Sequence, residues 1–126
     1  MIQPRTLVKI ADNSGGTIGR VFKVLGSSKK RYAEVGEEVV ISIQTAQPRK
    51  SVKKKEVHRA VVVRQTKPIR RRDGSYVRFD ENAVVLIVGS GKEPKDPKAT
   101  RIFGPIPREL AEKGYNKIGT LAPEIV

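Results

Sequence analysis

The stretch Val57-His58-Arg59-Ala60-Val61-Val62-Val63-Arg64-Gln65 governs how the rest of the chain is read. Its centre, Ala60 to Val63, is apolar and mostly branched at Cβ. Branching there restricts χ1 in a helix and packs well on a pleated surface, so the segment reads as a strand. Cations bracket it, with Lys53-Lys54-Lys55 before and Arg70-Arg71-Arg72 after. If the strand spans the domain, two basic loops leave from its opposite ends.

The same bias runs outward from this segment. The chain has 16 Val and 11 Ile but only 5 Leu in 126 residues. Upstream, Val39, Ile41 and Ile43 alternate with Ser42 and Gln44, the period of a half-buried strand. Thr6–Ala11 and Thr17–Leu25 read as earlier strands, separated by the turn-forming Asp12-Asn13-Ser14-Gly15-Gly16. Downstream, Asp73-Gly74 predicts a hairpin returning through Tyr76–Phe79. Ala83–Val88 is an uninterrupted apolar run and reads as a strand buried on both faces. The period then changes. Gly104 to Gly114 predicts a short helix with Gly104 as N-cap and Pro105 as first helical residue. The tail from Tyr115 predicts a further turn of helix, stopped at Pro123.

These elements predict an all-β dominated fold, a small five-stranded β-barrel with one or two short C-terminal helices. Residues 1–126 are expected to form a single domain, the helical appendage occupying about 104–126. Barrel closure removes exposed strand edges.

Several chemistries are excluded. There is no cysteine and one histidine, His58, so disulfides, thiolate zinc sites and histidine clusters are absent. The longest apolar run has six residues, Ala83–Val88, whereas a membrane-spanning helix needs about 20. The N-terminus lacks a signal-peptide core, so a soluble, unexported product is expected. Gly89-Ser90-Gly91-Lys92 lacks the phosphate-loop pattern, since Leu86 and Glu93 stand where Gly and Ser/Thr are required. Asp80 and Glu81 read as ion-pair partners for Arg78 at a strand end, and His58 as a surface residue or part of the basic face. No nucleophile, base and oxyanion donor come together, so no enzyme, no cofactor and no metal are expected.

The charge is the most informative feature. Lys and Arg number 26 against 13 acids, a formal +13. Between Arg49 and Arg72 eleven cations face one acid, Glu56, so 24 residues carry +10. Such a concentration points to a polyanion. The candidate RNA contacts begin with Lys29, Lys30, Arg31 and Tyr32. They continue with Arg49, Lys50, Lys53, Lys54 and Lys55, then Arg59 and Arg64 within the strand. Lys67, Arg70, Arg71, Arg72 and Arg78 complete the set. Arginine forks bind phosphate bidentately, and Tyr32 and Tyr76 offer rings for unpaired bases. The plain alternative is that such runs are solvated loops kept for solubility.

In order, Val8-Lys9-Ile10-Ala11-Asp12-Asn13-Ser14-Gly15, Arg59-Ala60-Val61-Val62-Val63-Arg64, Arg71-Arg72-Asp73-Gly74-Ser75 and Thr100-Arg101-Ile102-Phe103-Gly104-Pro105 resemble one family. So do Lys23-Val24-Leu25-Gly26, Arg78-Phe79-Asp80, Arg108-Glu109-Leu110 and Leu121-Ala122-Pro123-Glu124. It is the universal large-subunit ribosomal protein fourteen, in its bacterial or organellar form. The resemblance implies a small β-barrel without catalytic activity that binds large-subunit rRNA. It also implies contact with small-subunit rRNA at intersubunit bridges, and large-subunit proteins three and nineteen as neighbours. It implies a cytoplasmic or organellar ribosome as location. A ribosome silencing factor is expected to dock between Thr100 and Lys117, with Thr100, Arg101, Phe103, Arg108 and Lys117 as candidate contacts. The chain departs from the family in a longer loop, Gly91–Ala99, and in a less typical stretch, Ala111–Tyr115. A free-standing single-stranded RNA-binding barrel is the alternative, though six aromatic residues in 126 make a thin stacking platform.

Overall fold

A computed structural model describes residues 2–26, 29–88 and 96–126. Gly89-Ser90-Gly91-Lys92 and most of the longer loop lie outside the described residues. The barrel strands are β1 (Leu7–Ile10), β2 (Gly16–Val24), β3 (Glu38–Ala46), β4 (Val57–Arg64) and β7 (Ala83–Leu86). They close in the order β1-β2-β3-β4-β7. Neighbours are antiparallel except at the seam, where β7 runs parallel to β1 with Lys9 opposite Ala83 and Ile10 opposite Val84. Within β3, Val39, Ile41 and Ile43 are buried while the residues between them are half-buried, as the alternation requires. β7 is buried throughout, as its unbroken apolar run predicts.

Between β4 and β7 the chain makes a hairpin of β5 (Ile69–Arg70) and β6 (Tyr76–Val77). After the barrel come β8 (Pro105–Ile106), α1 (Glu109–Glu112), α2 (Asn116–Leu121) and β9 (Glu124–Ile125). This segment seals onto the barrel through Ile102, Ile106, Leu110, Tyr115 and Ile118, all in the same buried cluster as the strands.

Burial of these branched side chains drives closure, each fully buried aliphatic contributing about 1.5–3 kcal/mol. Gly19 permits a close approach inside the wall. A Cβ there would lie 2.7 Å from the Ile41 Cδ1 atom.

The C-terminal segment corrects two expectations. Gly104 and Pro105 do not start a helix. Gly104 has φ +81°, and a Cβ on it would collide with the Arg64 guanidinium. Pro105 and Ile106 pair in parallel with Glu124 and Ile125 instead, and α1 begins only at Glu109. The tail therefore does not stop at Pro123 but returns as a strand. Proline fixes φ without forcing a helix, and a partner about twenty residues away decided its pairing.

Candidate nucleic-acid interface

Two loops at the opposite ends of β4 carry eight of the eleven cations between Arg49 and Arg72. The first, residues 47–56, is held by its backbone. Gln47 N–H donates to Gly15 O at 2.7 Å, and Lys55 N–H donates to Ile43 O at 2.8 Å. Val52, fully buried, inserts into the core from the middle of the loop. Arg49 and Lys55 sit at φ +65° and +73°. Side chains tolerate that region only where surrounding contacts over-determine it. The loop is thus fixed while Arg49, Lys50, Lys53, Lys54 and Lys55 all point to solvent. None of the five forms an ion pair among the described residues. The loop's one acid, Glu56, accepts from the Lys53 amide and faces His58 at 3.7 Å.

The second loop is the β5–β6 hairpin. Asp73 Oδ1 accepts from the Ser75 amide and hydroxyl at 2.9 and 2.6 Å, and these bonds hold its carboxyl below the usual range. Gly74, at φ +89°, makes the turn. Arg70 and Arg72 are exposed. Arg71 is not, with its side chain only 14% exposed. Its Nε donates to Glu109 at 3.0 Å, and its Nη2 reaches Glu109 at 2.8 Å and the main-chain oxygen of Val126 at 2.7 Å.

Other sequence candidates are also engaged within the protein. Arg64 is 5% exposed. It donates to the Phe103 carbonyl at 3.1 Å and pairs with Glu81 at 3.3 Å, and burial, partly opposed by Glu81, lowers its pKa. It serves the fold by clamping the C-terminal segment to β4. Glu81 also faces Lys9 at 3.5 Å, so the expected pairing with Arg78 is replaced by these two. Lys30 pairs with Glu37, and the Arg59 Nε lies 3.6 Å from Glu38. Lys67 pairs loosely with Glu34 at 3.5 Å. Lys29, Arg31, Tyr32 and Arg78 are exposed.

His58 is more enclosed than a surface histidine, its side chain 12% exposed. Burial, with help from Lys98, lowers its pKa against the opposing pull of Glu56 and Asp12. Tyr115 is pushed up to about 12 by burial and by the neighbouring Glu38. No group of three or more His, Cys, Asp or Glu that could hold a metal occurs among the described residues.

The candidate protein contacts Thr100, Arg101, Phe103, Arg108 and Lys117 are all exposed. Asn13 positions the first two, its Oδ1 accepting from both their amides at 3.1 Å. Asp12, buried, bridges the end of β1 to β7 by accepting from Leu86 N–H at 3.0 Å. Lys117 pairs with Asp96 at 3.0 Å. Arg108 lies in one groove with Arg70, Arg71 and Arg72.

Sequence reasoning passed over the outer wall, where Leu7, Ile18 and Phe22 are exposed. Leu7 lies opposite Arg20 and therefore sits diagonally between Ile18 and Phe22. The outward phase of Leu7 against buried Val8, and of Phe22 against buried Val21, was the available signal. The family model described as ribosomal protein L14p/L23e matches residues 1–126, the whole chain.

Proposed function

The chain belongs to the L14p/L23e family of ribosomal proteins, structural constituents of the large subunit, and from that premise we propose that it binds large-subunit rRNA directly through the two basic loops flanking β4. The observation that supports this most is the first loop, with five exposed cations on a backbone already fixed by Val52 and by hydrogen bonds to β3 and to the turn before β2. Ordering such a loop on RNA costs little conformational entropy, so little of the electrostatic gain is lost. Affinity then comes mainly from counterion release and falls steeply with salt.

The same reading takes Thr100, Arg101, Phe103 and Lys117, with Arg108 at the edge beside the hairpin groove, as a face for protein partners. A ribosome silencing factor is the partner expected on that face; large-subunit proteins three and nineteen are further neighbours, and small-subunit rRNA is met at bridges. The role is architectural rather than catalytic.

The test is the salt dependence of binding to large-subunit rRNA. Changing Lys53, Lys54 and Lys55 together to alanine should flatten the slope of log K against log salt by about 2–3 units, near one per lost phosphate contact. An unchanged slope in a folded variant would remove this loop from the interface.

A further inference from the structure

We propose that the groove between the β5–β6 hairpin and α1 is a site for unpaired RNA, in which Arg70, Arg72 and Arg108 hold successive phosphates and Tyr76 stacks on a base, while Arg71 is the latch that keeps the groove formed. This rests on the RNA-binding reading and deepens it.

The groove encloses about 740 Å³ and is lined by Arg70, Arg71, Arg72, Arg108, Glu109 and Glu112. That is the size range of sites for ligands far larger than a phosphate ion. Arg71 is committed to Glu109 and the Val126 main-chain oxygen, so those two charges offset each other. Arg70, Arg72 and Arg108 remain exposed and form no ion pair among the described residues. Against Glu112 they leave the groove at +2. Asp73, whose carboxyl is tied to Ser75, feels both Arg108 and Arg71, which places the α1 side of the groove beside the hairpin tip.

The ring argues for RNA over a free anion. Arg70 and Tyr76 are directly opposed in the hairpin, so their side chains project from the same face. Arg70 lines the groove, and Tyr76 on its face is 65% exposed. A cationic groove beside a hairpin face that carries an open aromatic ring matches a phosphodiester chain with a splayed base.

The test measures binding of a 12-nucleotide oligouridylate, with inorganic phosphate as competitor, to the full chain and to variants whose folding is checked by circular dichroism. Tyr76→Ala should weaken binding about 5- to 150-fold and Tyr76→Phe should not. Arg72→Ala and Arg108→Ala should be non-additive, because they share one ligand. Glu109→Gln separates the latch from simple electrostatics. It raises local positive charge, so a bystander acid predicts tighter binding. The latch predicts weaker binding and loss of the Arg72–Arg108 coupling. Equal affinity of Tyr76→Ala and the parent, additive arginine effects, or displacement by equimolar inorganic phosphate would each overturn the proposal. If these variants bind normally while Lys53→Ala/Lys54→Ala/Lys55→Ala still loses salt dependence, the groove fails and the rRNA reading stands. If the parent chain binds neither the oligonucleotide nor rRNA, both fail.

Discussion

The two basic loops at the ends of β4 differ in net charge, +4 over residues 47–56 and +2 over residues 69–77, and they are held by different forces. The loop at 47–56 is anchored from below, by an apolar plug and main-chain bonds, and keeps its cations free. The hairpin at 69–77 is anchored sideways, by giving up one of its three consecutive arginines to Glu109 and Val126. The first loop needs only the barrel to be in place. The second needs the barrel and the C-terminal segment together. Apolar anchoring is blind to salt, whereas an ion pair that is partly open to water weakens as ionic strength rises.

That difference can be broken at either anchor. Val52→Ala empties a fully buried position and should cost about 2–3 kcal/mol in denaturant unfolding, with the same loss at low and high salt. A salt-dependent loss would mean that the plug is not what holds the first loop. Arg71→Met should cost less, about 1–2 kcal/mol, because Glu109 keeps some access to water. Its cost should shrink between low salt and 1 M salt, and equal cost at both would erase the contrast. The smallest effect concerns Asp73. Its carboxyl is lowered from an ordinary 3.8 by the Ser75 bonds, so its contribution is complete above that value and fades as pH falls through the lower folded one. Amide exchange at Ser75, corrected for intrinsic rate, should therefore speed up on acidification through that range. Asp73→Asn should flatten the response.

The barrel was readable because its signals are local. Val39-Val40-Ile41-Ser42-Ile43 alternates, Ala83–Leu86 is apolar without a break, and Asp73-Gly74 turns the chain where it stands. The charge run around β4 was readable for the same reason. What escaped depends on distant partners. Arg70, Arg71 and Arg72 look alike in sequence, and only an acid 38 positions away distinguishes the middle one. Arg64 is drawn inside by Glu81 and by a carbonyl that Gly104 leaves room to approach. Gly104-Pro105 satisfies the local grammar of a helix start, yet Glu124 and Ile125 recruit the next residues into a strand.

The parallel seam of the barrel has a consequence in time. β1 completes its pairing with a strand 74 residues further along, since Lys9 lies opposite Ala83. At roughly 5–20 residues per second, a growing chain would wait about 4–15 s between making one edge of that seam and the other. Both basic loops are synthesised within that interval, before the cylinder that aims them exists. The amides of Lys9 and Ala11 donate to the carbonyls of Asn82 and Val84. In a pulse-labelled nascent chain they should stay exchangeable until the seam is made. For a matter of seconds the molecule is a polycation with an open sheet edge, and an early anionic partner would meet its loops before they are held in place.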